Sequence, residues 1–324
     1  RNPGSPGRVQ GPRIPIPQII PGEMMFRKIR KAIIPAAGFG TRMLPATKSV
    51  PKELLPVVDR PIIDHIVEEA FEAGIEHIVI VTGRMKNAIE DHFDHAFELD
   101  ASLRRSGKDR LADAIASRTP PVGSISFVRQ QEARGLGHAV WTARQAIGDE
   151  PFAVLLPDMV MTGARPCLEA MVELYRQKGG NVIAIERCAP EDAHKFGIVS
   201  FQRTEDGPRV SGLVEKPAPG KAPSNFYISG RYILQPRIFE LLEDQKPGTG
   251  GEIQLTDALI QLMEMQPIWP FEFEGRTFDC GTPAGFISAN LAFAMARPEL
   301  AAGLAADVRS AAKAIEREIE VTAA

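Results

Sequence analysis

The chain has 324 residues, 44% of them hydrophobic, and a formal net charge of -3. That length suits one large or two ordinary α/β domains with a sizeable core. The charge excludes bulk attraction to nucleic acid or to a membrane surface, and no uninterrupted run of 18 or more apolar residues suggests a spanning helix. Three cysteines, Cys167, Cys188 and Cys280, are widely spaced without a Cys-x-x-Cys pair. They point to a reducing compartment, the cytoplasm, and away from disulfides or structural zinc.

In chain order, residues 1–24 come first and differ from the rest. Arg1 to Gly22 holds six prolines and four glycines and has no periodicity. Pro15, Pro17 and Pro21 interrupt Ile14, Ile16, Ile19 and Ile20, so a signal-peptide core cannot form. A disordered tail or a foreign remnant is expected, with the native start at Met24 or Met25. Beyond it, Lys31 to Pro35 reads as an apolar strand feeding a glycine loop. Pro61 to Ala73 is a helix with Ile62, Ile63, Ile66, Val67, Ala70 and Phe71 on one face and Gly74 as its stop. Glu76 to Val81 reads as a strand, Asn87 to Leu99 as one amphipathic helix, and Ala101 to Val122 as a polar surface excursion. Ser124 to Arg129 is a strand and Gly137 to Ile147 a helix. Phe152 to Leu156 is a nearly continuous apolar run, as in a central strand buried on both faces. Leu168 to Gln177 is helical and Asn181 to Ile185 a strand. Short strands and turns fill 196–234, and a helical segment runs from Thr282 to about Glu320.

This alternation predicts an α/β fold: a doubly wound, mostly parallel (Rossmann-like) sheet flanked by helices. A small β-rich subdomain at about 196–234 lies within a domain spanning 25–297, and 298–324 is a separate C-terminal helical segment. In such sheets ligands sit beyond the carboxyl ends of the strands. Gly38 and Asp158 both follow apolar strands and should face one crevice.

The segment Ala36-Ala37-Gly38-Phe39-Gly40-Thr41-Arg42, with Pro45, Lys48 and Pro51-Lys52, carries the clearest chemistry. Glycine lets backbone N–H groups approach an anion, Arg42 offers a planar fork and Lys52 a mobile point charge. Such a loop suits a polyphosphate. A dinucleotide fingerprint would need glycine where Met43 stands, and a Walker A loop would close with Gly-Lys-Ser/Thr rather than Gly40-Thr41-Arg42.

Six blocks in order now stand out: Ala37 to Lys52; Gln130 with Gly135-Leu136-Gly137-His138-Ala139; Leu156-Pro157-Asp158; Val214-Glu215-Lys216-Pro217; Gly251 to Asp257; and Phe278-Asp279-Cys280-Gly281. With these the chain, from about Arg27 to Arg297, resembles the sugar-1-phosphate nucleotidylyltransferases, and most closely the bacterial UTP–glucose-1-phosphate uridylyltransferases. The resemblance implies a reaction of UTP with glucose 1-phosphate giving UDP-glucose and pyrophosphate, with Mg²⁺ as cofactor and a homo-oligomer, dimer or tetramer, as the assembly. It implies that Asp158 and Asp279 hold the metal. Arg42, Lys52, Asp158 and Lys216 form the catalytic set. Ala36, Ala37, Gly38, Gly40, Thr41, Arg42, Lys52, Gln130, Gly135 and Asp158 bind the nucleotide, and Gln130 and Gly135 read the uracil. Gly197, Glu215, Lys216 and Gly230, with Arg231 beside it, belong to the sugar phosphate.

Lys48 stands between loop charge and phosphate contact, and Glu252, Gln254, Thr256 and Asp257 between function and a plain first helical turn. His138 is expected to cap or pack a helix. His92 and His95 are expected on a solvated face. Two alternatives stay open: the same chemistry with another nucleotide or sugar, as in a thymidylyltransferase, and a catalytically weak regulatory paralogue. The stripe Leu304, Val308, Ala312, Ile315, Ile319 in the last segment marks a possible subunit contact.

Overall fold

The structure is a computed structural model that describes residues 26–323. The expected tail at 1–24 and the Met24 or Met25 start lie outside the described residues, as do the side chains of residues 249 and 317–323. Nine strands form one sheet: β1 (Lys31–Ala36), β2 (His77–Thr82), β3 (Ile125–Arg129), β4 (Phe152–Leu155), β5 (Asn181–Arg187), β6 (Gly197–Thr204), β7 (Gly207–Glu215), β8 (Phe226–Leu234) and β9 (Ile268–Glu272). The main order is β3-β2-β1-β4-β8-β5-β9, and the β6–β7 hairpin attaches through β6 to the first half of β8. β3, β2, β1 and β4 pair in parallel, as do β5 and β9; β8 runs antiparallel to both β4 and β5. The sheet is thus mostly parallel, as expected.

Alternation along the strands splits the interior into two cores. Ala32, Ile34, Ala36, Ile78, Ile80, Ala153 and Leu155 face the helices Ile62–Glu72 and Cys167–Lys178. Ile33, Val79, Val81, Phe152 and Val154 face the helices Leu136–Thr142, Arg237–Glu243 and Leu255–Met265. Strands buried on both faces need unbroken apolar sequence, which is why β4 reads Phe-Ala-Val-Leu.

From β1 the chain winds outward to β2 and β3, then returns to the other side of β1 as β4. The winding reverses between β1 and β4, and a crevice opens beyond their carboxyl ends. The Gly38 loop and Asp158 both line it.

Four expected elements differ, the first being the helix expected over Gly137 to Ile147, which is interrupted at Ala143 between Leu136–Thr142 and Arg144–Ile147. The helix expected over Asn87 to Leu99 is two, Asn87–Phe93 and Phe97–Arg105. Only Ile89 of the first is buried and nothing in the second, so no continuous packed face holds them in line. The surface excursion after Ala101 contains a further helix, Asp109–Ala116, which lies against Phe97–Arg105 with Arg104 bridging Asp100 and Asp113. The C-terminal helical segment is divided into Pro283–Met295 and Pro298–Ala323, because Pro298 cannot continue the preceding helix.

Candidate active site

Two short 3-10 turns after β1 aim the cations of the crevice. Gly40 sits at φ 67 before the turn Thr41–Met43, and its carbonyl accepts from the Thr47 hydroxyl at 2.8 Å. The turn Lys52–Leu54 carries Lys52. The carboxylates come from turns far apart in sequence, Asp158 and Asp279, that the fold brings side by side. Asp158 follows β4, and a two-stranded ribbon of Met159–Gly163 with Gly275–Asp279 pairs Met159 with Asp279. The Cys280 N–H donates to the Asp158 carbonyl at 2.8 Å, which ties the two acidic turns together.

Lys52 Nζ lies 2.5 Å from Asp158 Oδ2, Arg42 Nη2 lies 3.7 Å from the same oxygen, and Arg42 Nη1 lies 3.0 Å from Asp279 Oδ2. Burial alone would push the Asp158 carboxyl up, but the Lys52 charge and hydrogen bond, with Arg42, hold it below the usual range. Burial likewise works against the Lys52 ammonium, and Asp158 and Glu53 outweigh it to raise its pKa. Among the described residues no three acidic, histidine or cysteine groups cluster for a metal. Two carboxylates alone suit a hard divalent cation whose other ligands are phosphate and water. The bare Cα of Gly281 leaves room directly between them, so the residues fit such an ion.

The turn bearing Asp158 is held from below. Arg231 on β8 is fully buried. Its guanidinium donates to the carbonyls of Leu156 (3.2 Å) and Met159 (2.9 Å), on either side of Pro157-Asp158. Glu69 supplies the counter-charge at 2.7 Å and also accepts the Leu168 N–H. A buried guanidinium needs this pairing. Glu53 and Lys86 form a second buried pair, 2.6 Å apart, behind Lys52.

At the far side of the crevice, Gln130 follows β3 and its N–H donates to the Thr82 carbonyl. Its amide nitrogen donates to the Gly135 carbonyl at 3.2 Å and lies 2.9 Å from His138 Nδ1. Gly135 has φ 102, and a Cβ there would meet the Ile253 carbonyl at 2.8 Å, so no other residue fits. Ile253 bonds back to both sides of this loop, through Arg134 O and Gly137 N. The resulting cleft, about 560 Å³, is lined by Gly38, Arg42, Lys52, Gln130, Gly135 and Asp158 among others.

The β7 end forms a separate cluster. Thr256 donates to Glu215 Oε2 at 2.7 Å, and Lys216 Nζ is 3.8 Å from Glu215 Oε1. Lys216 adopts φ 46, a conformation L residues rarely take, while its N–H donates to the Phe196 carbonyl. Gly197 lies against Glu215: a Cβ there would come 3.0 Å from Glu215 Oε2. Tyr227 stacks on Phe196 at 4.4 Å beside this cluster, and its phenol is raised by burial first and by Glu186 second.

Of the residues expected at the nucleotide, Ala37, Gly38, Thr41, Arg42, Lys52, Gln130, Gly135 and Asp158 line the cleft. Ala36 does not: it is fully buried in the β1 core, and Pro35 lines the cleft in its place. Gly40 shapes the loop from behind. Gly230, placed with the sugar by resemblance, is buried against the Leu156 and Met159 side chains, and Arg231 points into the core. Lys48 is exposed and outside the cleft lining. His92 pairs with Asp64 at 2.6 Å, and His95 lies past the helix end. Sequence reasoning missed the Glu69–Arg231 clamp and the Glu53–Lys86 pair. It left open Glu252, which lines the cleft, and Thr256, which holds Glu215.

This geometry can be set beside known proteins. Residues 31–295 match the model of the nucleotidyl transferase family, and the chain belongs to that family. More particularly, it is 50% identical to the UTP–glucose-1-phosphate uridylyltransferase of Bacillus subtilis (strain 168), over 85% of this chain and 94% of that one. A UDP-glucose pyrophosphorylase structure in complex with UDP-glucose superimposes with a TM-score of 0.76 at 42% identity, covering 83% of this chain and 100% of that one. A UTP-bound enzyme of the same kind from Acinetobacter baumannii gives 0.79 at 38% identity, covering 86% and 98%. The family and the enzyme class expected from the six blocks are borne out.

Proposed function

We propose that the protein transfers the uridylyl group of UTP to α-D-glucose 1-phosphate, giving UDP-glucose and pyrophosphate. The observation that carries this reading is the convergence of Arg42, Lys52, Asp158 and Asp279 at one sheet switch point, with Gln130 across the cleft. The sugar phosphate oxygen is already an anion at neutral pH, so its in-line attack on the α-phosphate needs no general base. The barrier is bringing two polyanions together and stabilising the departing pyrophosphate, which calls for fixed cations and positioning. Arg42 and Lys52 neutralise the β- and γ-phosphates. Lys216 holds the sugar phosphate, and Glu215 and Gly197 contact the sugar. Asp158 and Asp279 hold Mg²⁺, which supplies charge neutralisation at the reacting phosphates. Three free cysteines suit the cytoplasm, and a homo-oligomer is the proposed assembly.

Pyrophosphate release measured across UTP, dTTP, CTP and ATP, each with several sugar 1-phosphates, tests the reading. UTP with glucose 1-phosphate should give the highest kcat/KM. A dTTP preference would support the thymidylyl alternative, and no turnover with any pair would support a regulatory paralogue.

A further inference from the structure

His138 belongs to no catalytic role described above, and it does not cap its helix: Gly135 precedes the helix and no side chain caps it. Its ring stacks on Trp141 at 5.8 Å and presents Nδ1 to the Gln130 amide nitrogen at 2.9 Å. The Gly135 carbonyl faces the same nitrogen at 3.2 Å. A backbone carbonyl only accepts, so the end of the carboxamide facing Gly135 must be the NH₂. Its two hydrogens match two acceptors, Gly135 O and His138 Nδ1, provided the imidazole carries its proton on Nε2. The reversed amide would set its oxygen against two acceptors at once. With both hydrogens of the nitrogen taken, the end left for a ligand is the carbonyl oxygen Oε1, and among the described residues no group is seen to donate to it. Gln130 itself is 5% exposed and lines the cleft, so it has little freedom to rearrange.

We propose that His138 is a positioning residue that fixes the polarity of the Gln130 carboxamide, so that the base site presents an acceptor and selects a pyrimidine carrying N3–H over one whose N3 is a lone pair. This rests on the reading of Gln130 as the base contact. Uracil offers N3–H to Oε1; cytosine would oppose lone pair to lone pair. Uracil and thymine share N3–H, so the device sorts UTP from CTP and leaves dTTP to other contacts. The environment keeps the ring neutral: burial first and the Arg134 charge second hold its pKa below the usual value, against Glu132.

The test is the ratio of kcat/KM for UTP over CTP in the full-length protein with glucose 1-phosphate. His138→Phe keeps a ring on Trp141 and removes the acceptor. The ratio should fall about tenfold, as expected when one of two hydrogen bonds opposing the flip is lost, and KM should carry the change more than kcat. His138→Gln, whose side-chain oxygen can accept in place of Nδ1, should recover part of the ratio. If His138→Phe folds poorly, the imidazole tautomer of the unmodified protein decides by ¹⁵N NMR: a proton on Nδ1 overturns the proposal, and a proton on Nε2 supports it. Gln130→Ala separates the two levels. If it collapses the ratio while His138→Phe leaves it intact, the His138 proposal fails and the base-site reading stands. If Gln130→Ala leaves the ratio unchanged, both fail.

Discussion

A Cβ at position 281 would sit 2.6 Å from Arg42 Nη2, 2.7 Å from Asp158 Oδ2 and 2.9 Å from Asp279 Oδ1. The arginine is exposed and can swing aside; the two carboxylates belong to turns tied to each other and cannot. Gly281→Ala should therefore spread the acidic pair while leaving the core untouched. We expect kcat to fall on the order of 10²-fold, the scale of an ångström-sized misplacement, with the melting temperature nearly unchanged. Steady-state kinetics beside a thermal melt checks this, and a kcat near the parent value would remove Gly281 from the site. Asp158→Asn and Asp279→Asn remove one charge each at constant size. Each should lower kcat on the order of 10²-fold or more, since the lost contact is one made to developing charge. Near-normal Mg²⁺-dependent turnover in either variant would take that residue out of the metal pair. Asp158 was legible in sequence because it ends an apolar strand pattern, whereas Asp279, preceded by Gly275-Arg276-Thr277-Phe278, joined it only through the family resemblance. The role of Gly281 was not, because a missing methyl group acts only through what the fold brings beside it.

The helix Ile62–Glu72 does two jobs that its apolar spacing does not announce. Glu69 is its one buried acid and neutralises Arg231 beneath the Asp158 turn. Sequence placed Arg231 near the sugar through its neighbour Gly230. The burial of β8 between β4 and β5 forces a different outcome, since a charge in a strand covered on both faces must find a buried partner. Glu69→Gln leaves the guanidinium without its counter-charge and should cost about 3–5 kcal/mol of stability, measured as a lower denaturant midpoint. A loss under about 1 kcal/mol would mean that the backbone carbonyls alone satisfy Arg231. On the same helix, His65 packs edge-on to Phe293 at 4.8 Å. Burial first and Arg60 second lower its pKa to about 4. The unfolded chain titrates near 6.5, so between pH 6.5 and 4 it binds more protons than the folded one. The stabilisation is therefore complete above pH 6.5 and drains away as pH falls towards 4. Denaturant midpoints at pH 7 and pH 4.5 should diverge more in the parent than in His65→Gln, and equal slopes would contradict the assignment.

Across the whole molecule, the parallel layers were readable because each buried strand is an apolar run bounded by breakers, and the crevice followed from where the winding reverses. The break at Asp94 to Ala96 was not readable, since no proline or glycine marks it and only weak packing lets the helix part. The C-terminal helix Pro298–Ala323 presents the reverse case, a clear amphipathic pattern that no described residue buries. No side chain from 298 to 316 is buried; Leu304 is 38% and Ile315 56% exposed. On the preceding helix Ile287, Leu291 and Met295 recur four apart and are 65%, 43% and 38% exposed. An apolar stripe that does not pack on its own domain is the mark of an interaction surface. We therefore propose that the described part of this helix, 298–316, contributes to a contact between copies of this chain, with the Ile287-Leu291-Met295 face continuing it. Ile319, last of the expected stripe, has its side chain outside the described residues. Truncation after Arg297 retains the Arg297–Asp59 pair (2.6 Å) and leaves every cleft residue in place. Light scattering should show the truncated protein as a monomer, while UTP affinity stays within about twofold of the parent. A truncated protein that keeps the parent's number of subunits would overturn the assembly role, and Ile287→Lys with Leu291→Lys in the full chain would then test whether the neighbouring helix holds the copies together by itself.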